Sequence, residues 1–189
     1  MRMFCILLAL VWMELSIFSS SSFSATFRQK CEPHIAASAK THGVPLGFLY
    51  AIGLTETGNA KSMHPYALNV AGKGFYPSNK TKALNVFRDA RARGIKMIDL
   101  GCMQINYYYH SKQFNSVEEM LDPRKNVDYA ARFLQKLFKR EGSWTLAAAR
   151  YHAGPKNVVA QKKYVCTVIR NLVASGFGKW TKESRFFCM

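Results

Sequence analysis

The sequence lacks the features that mark several classes of protein. No CxxC or HxxxH spacing occurs, so we predict no zinc site, and nothing else in the chain indicates a metal or a cofactor. Internal repeats are absent, and no apolar run after the first two dozen residues approaches the length of a membrane-spanning helix. These absences exclude familiar zinc proteins, repeat proteins and proteins with several membrane spans.

Acidic residues are scarce. The chain has 11 Asp and Glu against 27 Lys and Arg, a formal net charge of +16. Such a balance favours a polyanionic environment: nucleic acid, anionic lipid or a cell-wall polymer. The cations are scattered through the predicted helices, none of which is basic and amphipathic enough to predict a membrane-disrupting protein. Because the first residues indicate export, we predict that nucleic acid is not a partner.

The first 25 residues predict a secretory signal peptide. Arg2 gives a positive start, residues 3–13 are apolar, and residues 19–25 are small apart from one phenylalanine. Cleavage near Ser24 or Ala25 would deliver residues 26–189 to the periplasm, and that length fits a single domain. Glu14 is unusual within a signal peptide, which leaves an uncleaved N-terminal anchor as the alternative.

Four cysteines remain in residues 26–189. An even number of cysteines in an exported chain indicates disulfide bonds, and four cysteines can pair in three ways. A free buried thiol at Cys102 is the alternative, and it would leave an odd cysteine among the other three. The four cysteines are Cys31, Cys102, Cys166 and Cys188.

The apolar periodicity predicts a mostly helical domain of the α+β class. A glycine-broken stretch over residues 67–76 predicts a small hairpin, and residues 95–100 predict a short strand. This β insertion follows the predicted helix over residues 45–57. Two further helices are predicted over residues 32–40 and 144–150. Another runs from a cap at Ser78 or Asn79 to Gly94, and two more begin at Ser116 and at Asp122-Pro123. An apolar stripe over residues 164–173 predicts the last helix.

Glu56 ends the apolar stripe of the helix over residues 45–57. Leu49, Ile52 and Glu56 lie three and four positions apart and therefore share one helical face. Partial burial and the negative end of the helix dipole both raise the pKa of a carboxyl group at this position, as a general acid requires. A solvated glutamate at a helix end is the alternative that this spacing leaves open.

Three short motifs follow one another in the chain. They are Glu-Thr-Gly at 56–58, Gly-Cys-Met-Gln-Ile-Asn at 101–106 and Ala-Arg-Tyr-His-Ala-Gly-Pro at 149–155. In these motifs the chain resembles the lysozyme-like lytic transglycosylases of the SLT type. The resemblance covers roughly residues 31–164 and implies a lysozyme-like fold. It also implies cleavage of the β-1,4 bond between N-acetylmuramic acid and N-acetylglucosamine in peptidoglycan, with formation of a 1,6-anhydro sugar.

Two longer segments narrow the resemblance. The segments at 64–70, His-Pro-Tyr-Ala-Leu-Asn-Val, and at 98–106 are similar to the transglycosylases that accompany conjugation, type III and type IV secretion and pilus systems. This similarity implies a small exported enzyme that opens the cell wall for a larger assembly. We expect a monomer whose partners, beyond peptidoglycan, are components of such a machine.

The resemblance also implies roles for individual residues. Glu56 would protonate the glycosidic oxygen and then accept the proton of the 6-hydroxyl group, so that one carboxyl group serves both steps. The amides of Gln104 and Asn106 would bind sugar hydroxyl and acetamido groups. Tyr151 would form a hydrogen bond near the glutamate, and Asn69 would contact the substrate or orient the attacking group.

Met103 belongs to the same site, and we expect it to pack beneath the substrate instead of touching sugar. For Gln104 and Asn106 the alternative is a satisfied polar residue at a helix start, and for Tyr151 a core tyrosine. The family pattern is broken at His152, where many members have asparagine, and we expect a structural role for this histidine.

Two other functions remain open. A muramidase on the same fold would use a second acid to position water, and Asp99 is the candidate, with a turn or cap role as its alternative. A non-catalytic wall-binding or assembly protein would keep the cleft without the activity.

Overall fold

The computed structural model describes residues 30–58, 62–154 and 156–189. Within these ranges the chain is mostly helical, with one small antiparallel sheet after the second helix, which confirms the predicted fold class. The predicted signal peptide lies outside the described residues. The helices are α1 Glu32–His42, α2 Leu46–Thr57, α3 Lys80–Ala92, α4 Tyr107–His110, α5 Val117–Met120, α6 Pro123–Glu141, α7 Trp144–His152, α8 Val158–Ala174 and α9 Lys182–Cys188.

The sheet has the strand order β2-β1-β3-β4, in which every neighbouring pair is antiparallel. The strands are β1 Leu68–Val70, β2 Lys73–Phe75, β3 Ile98–Leu100 and β4 Ile105–Asn106. The predicted hairpin is confirmed as β1 and β2. Its turn places Ala71 and Gly72 at positive φ, 51° and 90°, the geometry that suits the twist of a two-residue hairpin loop.

The core forms where α2 packs against α8 and α1 packs against α6, with α7 in contact with both α6 and α8. Leu49 and Ile52 of α2 are fully buried, as the stripe leading to Glu56 predicts. Among the described residues, no helix combines the length and the apolar character needed to cross a membrane.

Four of the predicted helix caps are confirmed. Asn79, Ser116, Asp122 and Ser143 each accept a hydrogen bond from a backbone N–H in the first turn of the following helix. The side chain of Glu119, three residues after the Ser116 cap, accepts hydrogen bonds from Asn115. Pro45 is the cap of α2 and not its first residue.

The two disulfide bonds of the structure correspond to one of the three possible pairings of the four cysteines. Cys31 bonds to Cys102 and Cys166 bonds to Cys188, with Cα–Cα distances of 5.7 and 5.5 Å. The alternative prediction of a free thiol at Cys102 is therefore wrong. Cys31 caps α1 and meets Cys102 in the buried turn after β3, so the first disulfide joins α1 to the segment that carries the Gly-x-Met-Gln motif.

Candidate active site

Glu56 lies in the last turn of α2, half-buried, with its Oε1 atom 2.6 Å from the hydroxyl group of Tyr164. Burial raises the pKa of this carboxyl group to about 8. The hydrogen bond from Tyr164 opposes this rise because it favours the anion, whereas the nearby charge of Asp99 adds to it. Burial thus outweighs the hydrogen bond, and the group is a neutral acid at pH 7.

Tyr164 is the member of the site that sequence reasoning missed, because it was assigned to the apolar stripe of the last long helix. It is buried, and its own pKa is raised well above the usual value, first by desolvation and then by the charge of Glu56. The phenol therefore remains a neutral donor. The imidazole ring of His152 stacks on it, with ring centroids 4.3 Å apart and planes 5° apart. The signal that could have identified Tyr164 is its hydroxyl group, which lies on a helix face otherwise rich in Val and Ile.

Asn69, Asp99 and Asn106 form a row across the sheet. Asn69 pairs with Asp99 and Asp99 pairs with Asn106 in the strand register. Directly paired residues project from the same face of a sheet, and the residues between them project from the other. The other face is buried, whereas the three polar residues are half-buried. We call these three residues the polar row.

Asp99 is the centre of the polar row. It accepts a 2.7 Å hydrogen bond from Nδ2 of Asn106. Burial raises the pKa of its carboxyl group, while the Asn106 bond and the neighbouring His152 oppose the rise. Asp99 in turn raises the pKa of Glu56, so the two carboxyl groups lie close enough to sense each other's charge. The centre of the polar row therefore lies within electrostatic reach of Glu56.

The amides predicted to bind sugar already carry internal hydrogen bonds. Oδ1 of Asn69 accepts from the N–H of Gly72, and Oδ1 of Asn106 accepts from the N–H of Tyr109. Nε2 of Gln104 donates to the carbonyl oxygens of Ala67 and Gly101, 3.1 and 2.9 Å away. These bonds fix the orientation of each amide and occupy one end of it. Nδ2 of Asn69 and Oε1 of Gln104 form none of these hydrogen bonds, so they are the amide atoms that can bind a ligand.

Met103 and Tyr151 support the site from within. Met103 is fully buried, so its side chain does not reach the surface at which a ligand would bind. Its carbonyl oxygen accepts a 2.7 Å hydrogen bond from the hydroxyl group of Tyr151. The hydrogen-bond partner of Tyr151 is thus the backbone of Met103. Burial first, and then the charge of Glu56, raise the pKa of Tyr151 well above its usual value. Its part in charge stabilisation stays a prediction.

Asn126 holds the turn that carries Met103. It is fully buried on α6, accepts from the N–H of Met103 and donates to the carbonyl oxygens of Leu100 and Met120, all at 2.8 Å. Gly101 has a φ of +76°, and a β-carbon there would lie 2.7 Å from Nδ2 of Asn126. Only glycine combines this backbone angle with this approach. No pattern in the sequence singles out Asn126, because one polar residue in a long helix is usually solvated.

The described part of the chain contains no cluster of three or more His, Cys, Asp or Glu side chains that could hold a metal ion. What it contains is a neutral acid at a helix end, beside a polar sheet face in a mostly helical domain. These are the features of a glycan-cleaving enzyme of the lysozyme-like class.

The family model of the transglycosylase SLT domain matches residues 33–172. The chain therefore belongs to the SLT transglycosylases, a lysozyme-like family whose members are lytic transglycosylases that act on peptidoglycan. This substrate implies an extracytoplasmic location. Searches of curated proteins and of solved structures gave no significant match.

Proposed function

We propose that the protein is a peptidoglycan lytic transglycosylase in which Glu56 is the only catalytic carboxyl group. The observation that carries this proposal is the 2.6 Å hydrogen bond from Tyr164 to a glutamate whose pKa burial raises to about 8. A group with this pKa gives up and regains a proton readily near neutral pH. One carboxyl group can therefore act first as acid and then as base.

The first step is proton donation. Because Oε1 of Glu56 accepts the hydrogen bond from Tyr164, the acidic proton is favoured on Oε2. Glu56 gives this proton to the glycosidic oxygen between N-acetylmuramic acid and N-acetylglucosamine. The bond from this oxygen to C1 of the muramic sugar breaks, and N-acetylglucosamine leaves with the proton.

The second step restores the acid. Glu56 is now a carboxylate, and the hydrogen bond from Tyr164 stabilises its charge. It accepts the proton of the 6-hydroxyl group of the muramic sugar, whose oxygen forms the new bond to C1. The product is 1,6-anhydro-N-acetylmuramic acid, and no water is consumed.

The sugar chain would lie against the polar row and the turn after β3. Nδ2 of Asn69 and Oε1 of Gln104 are a donor and an acceptor that suit hydroxyl and acetamido groups. Asn106 contributes through Asp99, since its Nδ2 holds that carboxylate. Tyr151 and Met103 keep the turn in place behind these groups.

The test is mass spectrometry of digested peptidoglycan. We expect anhydro-muropeptides from the wild type and loss of turnover by several orders of magnitude in Glu56→Gln. Products that carry one additional water would favour a muramidase with Asp99 as its second acid. A Glu56→Gln variant that still clears peptidoglycan would refute the assignment, and one that keeps its cellular role without turnover would favour a non-catalytic assembly protein.

In the cell we propose that residues 26–189 act in the periplasm as one domain, after removal of residues 1–25, and open the wall for a conjugation, secretion or pilus machine. Support comes from the segments at 64–70 and 98–106, which are similar to the enzymes of such systems. Deletion of the gene should lower transfer or secretion in the host, and complementation should require Glu56. Unchanged transfer in the deletion strain would contradict this role.

A further inference from the structure

The last described segment of the chain is both basic and unusually apolar at its surface. Residues 156–189 contain seven Lys and Arg and one acidic residue, Glu183. The same segment exposes Phe177 and, on α8 and at α9, a group of five large apolar side chains whose exposed fractions range from 41% to 91%, namely Val158, Val159, Phe186, Phe187 and Met189. Single exposed apolar residues are ordinary, but a group of five large ones beside a group of cations is not.

The exposed side chains of α8 and α9 are brought together because α9 is fastened to α8. The Cys166–Cys188 disulfide joins the two helices, and Nζ of Lys162 lies 5.6 Å from the ring centre of Phe187. On α8, Val159, Lys162 and Cys166 share a helical face at spacings of three, four and seven. We call this surface the α8–α9 patch: Val158, Val159, Lys162, Lys163, Lys182, Arg185, Phe186, Phe187 and Met189.

Five of the nine residues of the α8–α9 patch lie beyond the family match. The family match ends at residue 172, before α9 begins at Lys182. The patch residues also take no part in the bonds that hold Glu56, Tyr164 or the polar row. Its composition therefore has no explanation in the proposed reaction.

The shape and chemistry of the patch favour a lipid surface over other anions. Val159, Phe186 and Met189 are 82%, 83% and 91% exposed, so they protrude and do not line a groove that a peptide could fill. A soluble polyanion would use the cations and leave these apolar side chains in water. A bilayer interface accepts both, because apolar groups enter the headgroup boundary while Lys and Arg meet anionic headgroups.

We propose that the α8–α9 patch docks the protein on the surface of an anionic phospholipid bilayer. Phe186, Phe187 and Met189 enter the boundary between headgroups and acyl chains, and the surrounding lysines and Arg185 lie at the phosphates. Lys163 of the patch is adjacent in the chain to Tyr164, which bonds Glu56, so docking holds the catalytic helix at the membrane. The proposal does not depend on the proposed activity.

Vesicle co-sedimentation tests the docking. We expect the protein to bind vesicles of phosphatidylcholine mixed with about one-third phosphatidylglycerol, and to bind pure phosphatidylcholine at least about tenfold more weakly. High salt should release it, since screening weakens attraction between exposed charges. Failure of the wild type to bind the anionic vesicles would overturn the proposal and leave an acidic protein as the partner to seek.

Two variants separate the apolar and the charged contributions. Phe186→Ser with Met189→Ser, and Lys162→Gln with Lys163→Gln, should each lower the partition coefficient by about tenfold or more. The matched controls are Met97→Ser, an exposed methionine elsewhere, and Lys80→Gln with Lys82→Gln on α3. Equal losses in control and patch variants would mean that net charge or apolarity alone drives binding, and would refute the patch.

Two further measurements guard against other causes. Turnover of soluble peptidoglycan fragments by the patch variants should match the wild type, which shows that the variants fold. A concentration-dependent dimer that Phe186→Ser with Met189→Ser abolishes, measured by light scattering, would assign the patch to a second copy of the chain and overturn membrane docking.

Discussion

Tyr164 and Glu56 are 108 residues apart in the chain, and their side chains meet at 2.6 Å. The tyrosine belongs to α8 and the glutamate to α2, so the acid is built where these two packed helices face each other. Neither residue could perform its part alone. Without the phenol the buried carboxylate would lack a donor, and without the glutamate the buried hydroxyl group would lack an acceptor.

Tyr164→Phe should lower kcat by about tenfold to a hundredfold, because a hydrogen bond to a charged group is lost at the stage when Glu56 is a carboxylate. The same change raises the pKa of Glu56, since the lost bond favours the anion. The alkaline limb of the pH–rate profile should therefore move to higher pH. Tyr50→Phe, at a half-buried tyrosine that packs against the core, is the control. A profile that does not move would contradict the assigned contact.

Asp99→Asn should move the alkaline limb in the opposite direction. The charge of Asp99 raises the pKa of Glu56, so its removal lets Glu56 lose its proton at lower pH. We expect kcat on the acidic side of the profile to change by less than about tenfold, with anhydro products unchanged. Complete loss of turnover in this variant would instead support the muramidase alternative.

Glu56→Gln should stabilise the fold at neutral pH. The carboxyl group has a pKa of about 8 in the folded protein against an ordinary value of 4.5, so the folded state binds the additional proton between these values. The free energy of unfolding therefore falls as pH rises through this window. Replacement by neutral glutamine removes the penalty, which reaches about 2–3 kcal/mol near pH 7.

Urea unfolding of the two proteins at pH 5 and pH 7 measures this difference. The gain should be small at pH 5 and larger at pH 7. Glu118→Gln, at a half-buried helical site away from Glu56, should show no such trend. A gain that is equal at both pH values would mean that Glu56 is not a neutral buried acid.

Gly101→Ala should destabilise the protein more than Gly94→Ala. Both glycines have a φ of +76°, so both substitutions carry the strain of a left-handed backbone, about 1–2 kcal/mol. At Gly94 the added carbon meets nothing within 4 Å, whereas at Gly101 it meets Asn126. We expect an additional cost of about 1–3 kcal/mol from the overpacked site.

Turnover should also differ between the Gly101→Ala and Gly94→Ala variants. The Gly101→Ala variant should also lose activity, because the displaced turn carries the Met103 carbonyl group to which Tyr151 bonds. The Gly94→Ala variant should keep wild-type turnover. Equal stabilities and rates for the two variants would show that Asn126 yields to the added carbon.

The sequence predicted the helix that carries Glu56 because its signal, the apolar stripe of Leu49 and Ile52, is local. Local signals also predicted the hairpin at β1 and β2. The elements β4 and α9 escaped prediction, because two residues of β4 and seven residues of α9 are too few to show a period. The disulfide to Cys166, not a hydrophobic stripe, fastens α9.

The site could be predicted only as a set of residues and not as an arrangement. The polar row depends on the register of three strands, and the motifs that suggested Asn69 and Asn106 do not contain that register. Tyr164 looked like one more core residue, since periodicity shows which face of a helix is buried and not which buried group needs a partner. The structure shows both the register of the strands and the hydrogen-bond partner of Tyr164.

The Cys31–Cys102 disulfide ties the first helix to the turn on which the catalytic centre depends. A chain that still carries both thiols lacks this covalent link, and non-covalent contacts alone then hold the turn beside the first helix. Under the proposed function, the chain is made in a reducing compartment and acts in an oxidising one. The link would then form only in the compartment where the substrate lies.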